Sequence, residues 1–303
     1  MVVSNIERRH VGVLLGGRSA ERDVSLQTGQ AVVEVLRKSG VQVSSIDVDL
    51  DVAERIKALS IDVAFIALHG RFGEDGCIQG LLESLRIPYT GSGVLASAMA
   101  MDKVTSKRLF DAAGLATARW AFGGGAEQLP LPVIVKPRAE GSSVGLELVD
   151  SAERLAVVLA DNPELLVEEY IPGRELSVAV IGKRPAVELL GPAIEVKPAE
   201  GIYDYAAKYE RDDTIYIVDP DLPPPVRERM EHLAIAAHQL LECCGVSRID
   251  FRYDEDTDRL VLLEINTLPG LTSHSLVPKI AAHAGISYTD LVLRIIDQAG
   301  LHA

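Results

Sequence analysis

The sequence predicts an α/β protein whose N-terminal third is built on a parallel sheet, and three observations carry that prediction. The chain has 303 residues, 48% of them hydrophobic and 24% charged, enough apolar material for two or three small packed domains. Its first third alternates short apolar runs with segments of helical period, the βαβ pattern of a parallel sheet. Glycine pairs or His-Gly follow two of those runs, at the strand ends where ligands of such sheets bind.

The elements follow in order. His10 to Leu15 is an apolar run ending in Gly16-Gly17 and reads as a buried strand and turn. Thr28 to Ser39 carries Ala31, Val32, Val35 and Leu36 at helical spacing, with Gly40 as the stop. Val41 to Val48 alternates like a strand, and Ile61 to Leu68 is a second buried strand before His69-Gly70. Asp102 to Ala113 reads as a helix closed by Gly114, and Gly123-Gly124-Gly125 as a break. Pro132 to Lys136 is a short strand leading to the glycine-rich loop Glu140 to Gly145; a capped helix (Ser151 to Ala160) and a strand (Leu165 to Glu168) follow. Strands are expected at Leu176 to Ile181 and Ala186 to Leu190. Residues 199 to 213, polar and tyrosine-rich, read as a long loop of the kind that serves as a lid. A helix after Pro223-Pro224-Pro225 carries Val226, Met230, Leu233, Ala237, Leu240 and Leu241 on one face. Two last strands, Ser247 to Tyr253 and Arg259 to Ile265, flank the charged turn Asp254 to Asp258.

Charge narrows the function. Lys plus Arg total 30 and Asp plus Glu 44, a formal net charge of −14. Such a surface repels polyanions, so no nucleic-acid partner is expected, although a nucleotide can bind where a few cations are focused. The three cysteines, Cys77, Cys243 and Cys244, have no metal-ligand spacing and read as reduced thiols. No apolar stretch approaches the ~18 residues of a membrane span, and the polar N-terminus does not read as a signal peptide. A cytoplasmic protein with no membrane partner is expected.

Three segments carry chemistry. In the last hairpin, residues two apart share a face, so Asp250 lies with Arg248 and Arg252, and Glu264 lies with Asn266 on the partner strand. Two carboxylates and an amide on adjacent strands suit Mg²⁺, a hard cation that bridges phosphates; the alternative is a solvent-facing hairpin with its charges outward. The loop Gly141-Ser142-Ser143-Val144-Gly145 lets backbone N–H groups approach phosphate oxygens, with Lys136 just upstream. It is not a Walker A motif, since no Gly-Lys-Ser/Thr follows, and a plain turn is its alternative. The segment Glu168 to Glu175 is a strand running into acids and a Pro-Gly turn, either a binding edge or a charged linker. Gly16 to Glu21 is glycine-rich without the G-x-G-x-x-G fingerprint, which argues against a nicotinamide site.

Together the segments resemble the D-alanine–D-alanine ligase family of the ATP-grasp superfamily. In family order they are LLGGRSAERDVSL (14–26), ALHGRFGEDGCIQGLLE (67–83), YTGSG (89–93), MDK (101–103), VKPRAEGSSVG (135–145), YDYAAKY (203–209), RIDF (248–251), EINTLPG (264–270) and TSHSLVP (272–278). The resemblance runs from Val11 to about Ala299. It implies an N-terminal α/β substrate-binding domain at 1–92, followed by a two-part ATP-grasp with a central subdomain at 93–183 and a C-terminal one at 184–303. It also implies ATP-dependent joining of two D-alanine molecules for peptidoglycan precursors, and a homodimer through the N-terminal domain.

The resemblance assigns residues as well. ATP phosphates fall to Lys103 and Lys136, with Ser142 and Ser143 folding over them. Adenine falls to the backbone of Glu168, Glu169, Tyr170 and Ile171, and ribose to Glu175. Asp250, Glu264 and Asn266 hold two Mg²⁺, replaceable by Mn²⁺, and a monovalent cation is an allowed addition. Glu21 anchors the first D-alanine's ammonium beside His69, steadied by Ser142 and Tyr209. Lys208 and Ser275 bind the second D-alanine's carboxylate, while Arg248 and the Gly270 amide form an oxyanion site. The chain departs from common family usage at Leu268 and in the short stretch Gly123 to Leu131. It departs again at Ser247, where Gly or Ala is common and a small packing effect is expected. D-serine-using relatives are the nearest rival reading, separated by Lys208, Tyr209 and Ser275.

Overall fold

A computed structural model describes residues 6–199 and 213–302. The N-terminal sheet is parallel, with β1 (His10–Leu15) between β2 (Gln42–Asp47) and β3 (Val63–Ile66). Two helices connect these strands, α1 (Arg22–Lys38) and α2 (Val52–Leu59). The first begins six residues before the expected start at Thr28. Its first turns bury Ser25, Thr28 and Gly29, small residues that carry no apolar period. They are small because the helix lies close on β1: a Cβ at Gly29 would sit 2.4 Å from the Leu15 side chain.

Three short helices follow, α3 (Cys77–Leu85), α4 (Val94–Met101) and α5 (Lys103–Ala112). Asp102 caps α5, its carboxylate accepting the Thr105 amide at 2.8 Å and pairing with Arg138 at 2.5 Å. An antiparallel sheet comes next, in the order β4 (Trp120–Ala121), β7 (Leu165–Glu169), β5 (Val133–Pro137), β6 (Glu147–Val149), with α6 (Ala152–Asp161) packed on it through Leu155. Ser151 caps α6 through the Arg154 amide.

The largest sheet is antiparallel: β11 (Ile215–Val218), β10 (Ile194–Lys197), β8 (Arg174–Lys183), β12 (Gly245–Asp254) and β13 (Arg259–Asn266) in order, with β9 (Ala186–Leu189) also on β8. By sheet membership β8 goes with the C-terminal unit, because the smaller sheet ends at Glu169 and the turn at Pro172-Gly173 separates them. One face of this sheet is covered by α7 (Pro224–Leu240), which buries Val226, Met230 and Ala237 against Leu176, Val180, Ile249 and Phe251. The other face, through Ala179, Ile181 and Ile194, packs on α8 (Leu276–His283), α9 (Tyr288–Asp297) and the N-terminal strands. All three cysteines are free. Among the described residues no helix is long and apolar enough to cross a membrane.

Candidate active site

Alternation along β12 sets the site's floor. Ile249, Phe251 and Tyr253 are buried beneath the sheet, so Arg248, Asp250 and Arg252 project from the opposite face. The register puts Asp250 opposite Ser177 on β8 and Glu264 on β13, Arg252 opposite Glu175, and Arg248 opposite Asn266. The smaller sheet and its loop form the roof. The cleft between them is lined by Lys103, Lys136, Glu140, Gly141, Ser143, Glu168 to Ile171, Glu175, Arg248, Asp250 and Glu264, with Ala118, Ile134, Leu146, Leu263 and Leu276 as apolar walls. The hairpin therefore faces this cleft, and the solvent-facing alternative falls away.

The cations concentrate at one end. Lys103 reaches from the start of α5 to donate to the Glu140 carbonyl at 2.8 Å, with its ammonium 3.4 Å from Glu264. Lys136, buried at the end of β5, pairs with Glu168. Glu168 is only 3% exposed and also pairs with Lys107, a residue the sequence did not single out. Burial alone pushes the Glu168 carboxyl up; the two ammoniums overcome it and hold the group down at about 2. Burial likewise lowers Lys107. The segment 168–175 is thus no charged linker: its first acid is a buried counterion, and Glu168 to Ile171 and Glu175 line the cleft. Glu169 is gripped by Arg259 at 2.6 and 2.8 Å and by Arg119 at 3.0 Å. Arg252 donates to the Ile171 carbonyl at 3.0 Å and lies 3.4 Å from Glu175.

Asp250 takes both an Arg248 pair, 2.8 Å at each oxygen, and the Ser177 hydroxyl at 2.6 Å. Asn266 accepts the Leu268 amide at 3.1 Å through its side-chain oxygen. Among the described residues no three or more His, Cys, Asp or Glu side chains gather as a metal group. The oxygen set here is two carboxylates and an amide on neighbouring strands, and its hardness fits Mg²⁺ at a phosphate.

A second cluster adjoins the cleft at the N-terminal domain. Glu21, at the start of α1, accepts a hydrogen bond from the Ser142 hydroxyl. Its carboxylate is wedged between two glycines: a Cβ at Gly70 or at Gly141 would sit 2.6 Å from Glu21 Oε2. Ser142 and Ser143 both hold left-handed backbone, at φ 50° and 57°, to bring the loop over. His69 is buried between Glu74 (3.5 Å) and Thr28 (3.3 Å). Ser275 precedes α8, bonded to the Thr272 amide at 3.1 Å, and its Oγ would be 2.8 Å from a Cβ at Gly270. Lys208, Tyr209 and residues 200–212 of the expected lid lie outside the described residues. Sequence reasoning missed Lys107 and Ser177, and it placed Arg252 on the face of Asp250 without giving it a role. Ser177 had a signal, since it sits on the face of Glu175; Lys107 had one in its i, i+4 spacing from Lys103.

The arrangement suits phosphoryl transfer: focused cations, an oxygen set that could hold Mg²⁺ and a neighbouring pocket with a carboxylate, with no positioned nucleophile among the described residues. Comparison with known proteins agrees. Residues 47–92 match the family model for the D-ala D-ala ligase N-terminus, and residues 113–297 the model for the C-terminus. The chain is 50% identical over 308 residues to a D-alanine–D-alanine ligase of Anaeromyxobacter dehalogenans (strain 2CP-C), covering 97% of this chain and 98% of the relative. It is 46% identical to that of Caulobacter sp. (strain K31), covering 97% and 94%. The D-alanine–D-alanine ligase of Bacillus anthracis, solved in complex with ATP, superposes with a TM-score of 0.82 at 34% identity, over 96% of each chain.

Proposed function

The chain belongs to the D-alanine–D-alanine ligase family, and on that premise we propose how its residues divide the work of the reaction. It is an ATP-dependent ligase that joins two D-alanine molecules. The cleft between the two antiparallel sheets is the ATP site, and the pocket at Glu21 takes the first D-alanine. The observation that carries this reading is the Ser142–Glu21 hydrogen bond. It joins the glycine-rich loop over the cleft to the N-terminal domain, so the phosphate end of one ligand and the anchor of the other meet at one loop.

In this reading Lys103 and Lys136 hold the β- and γ-phosphates, the backbone of 168–171 holds adenine and Glu175 the ribose. Asp250, Glu264 and Asn266 would hold Mg²⁺, which when bound neutralises phosphate charge. Glu21, steadied by Ser142 and flanked by His69, fixes the ammonium of the first D-alanine. A carboxylate oxygen of this first D-alanine attacks the γ-phosphorus, giving D-alanyl phosphate and ADP. The amine of the second D-alanine, whose carboxylate lies at Ser275, then attacks the carbonyl carbon and loses a proton. The oxyanion is met by Arg248 and the Gly270 amide, and phosphate leaves with the original carboxylate oxygen. Catalysis is positioning and charge stabilisation, not nucleophilic catalysis by a side chain. The three-domain division is retained, with the second boundary at the sheet change near Gly173. A homodimer and a cytoplasmic setting complete the proposal.

The test uses D-alanine labelled with ¹⁸O in its carboxylate. Released phosphate is expected to carry one ¹⁸O per turnover; unlabelled phosphate would rule out the acyl phosphate. D-serine offered as the second substrate, with products identified by mass, tests the second subsite in the same assay.

A further inference from the structure

Lys107 lies one helical turn beyond Lys103 on α5, and its side chain is 1% exposed. Its ammonium donates to Thr117 Oγ1 at 2.5 Å and pairs with one oxygen of Glu168; the other oxygen pairs with Lys136. Thr117 in turn donates to the Leu262 carbonyl at 2.7 Å, fixing this corner to β13. Lys136 lines the cleft, whereas Lys107 is walled off from it. A buried lysine is costly, and methionine would fill similar space without the desolvation cost, so packing alone does not account for the ammonium.

Charge does account for it. Lys136 and Glu168 by themselves form a neutral pair, which offers a polyphosphate a dipole and little net field. With Lys107 sharing the same carboxylate, two ammoniums face one carboxylate and the group keeps a net charge of +1 in a low-dielectric setting, where one charge counts for more than in water. Glu168 is still needed, because without it two buried ammoniums would repel each other. We propose that Lys107 is a positioning residue for ATP: it shares Glu168 with Lys136 and so leaves the cleft floor cationic without touching the nucleotide. The inference rests on the reading of this cleft as the ATP site.

The experiment measures ATP and adenosine binding to the full chain by calorimetry, for wild type, Lys107→Met, Lys107→Met with Glu168→Gln, and Lys136→Met. Lys107→Met, with the floor now neutral, is expected to bind ATP on the order of tenfold more weakly and adenosine unchanged. The double variant restores the net charge of +1 and is expected to recover most of the lost ATP affinity. Wild-type ATP affinity in Lys107→Met overturns the proposal. So does an equal loss for ATP and adenosine, which marks a merely structural role, and so does a double variant no better than the single one. If Lys107→Met does not fold, Lys107→Gln, polar but without the charge, gives the same comparison. Lys136→Met separates the two levels: unchanged ATP binding there defeats the reading of the cleft itself, whereas weakened binding there with an indifferent Lys107→Met defeats only the role of Lys107.

Discussion

Arg248 illustrates how one side chain can serve two neighbours. Its guanidinium holds Asp250 through two 2.8 Å bonds, an arrangement only a planar fork can make. Arg248→Ala is therefore expected to lower turnover roughly 10²–10³-fold, the scale of a lost oxyanion donor; unchanged steady-state turnover would remove it from the mechanism. Ser247 differs from what the sequence suggested. A small packing effect was the expectation, yet Ser247 is fully buried and its hydroxyl lies 2.7 Å from His238 Nδ1, while Nε2 is 3.2 Å from the Gly182 carbonyl. Burial pushes His238 down to about 4, so the imidazole is neutral at pH 7. Ser247→Ala strands a buried ring nitrogen and is expected to cost about 1–3 kcal/mol in urea unfolding, with ATP and D-alanine KM unchanged.

At the scale of elements, the clamp between the two antiparallel sheets is Glu169. It ends β7 and is held by Arg259 at the start of β13 and by Arg119 beside β4. The Arg259 hydrogen bonds lead in holding its carboxyl down at about 2, against partial burial that opposes them. Because the folded value is depressed, the stabilisation is complete above the ordinary value of about 4.5 and is lost as pH falls through about 2. Glu169→Gln is expected to lower stability at pH 7 and to flatten the acid limb of the stability curve between those values, read by denaturant midpoints across pH. An acid limb as steep as wild type would mean that the clamp adds nothing. Helix α1 makes a complementary point: its first turns are legible only once Gly29 is seen against Leu15, because close approach selects small residues and erases the apolar period.

For the whole molecule, the cleft takes its walls from both antiparallel sheets and its loop anchor from the N-terminal domain. A ligand that binds this folded arrangement stabilises all the parts it bridges. Saturating ATP is expected to slow amide exchange together in Leu165 to Ile171 and in Arg248 to Asn266. The core strand His10–Leu15, away from the cleft lining, should change little. Slowing confined to one of the two sheets, read by exchange mass spectrometry, would contradict a site shared between them.

The sequence by itself determined the α/β class, the parallel N-terminal sheet and which polar residues of the last hairpin share a face. Period-2 alternation puts Arg248, Asp250 and Arg252 on one face whatever surrounds them, and glycines mark where backbone must turn or approach closely. Helices α8 and α9 were within reach too, since Leu276, Val277, Ile280 and Ala281 recur at helical spacing in the first and Leu291, Val292, Ile295 and Ile296 in the second. What only the tertiary structure decided are the pairings between distant segments that no motif or resemblance announced: Glu168 with Lys107 and Lys136, Glu169 with Arg259, Ser247 with His238. A charged residue reads the same in sequence whether it faces water or a buried counterion. The difference lies in burial and in which strand is its neighbour, and both are set by long-range packing that no local pattern encodes.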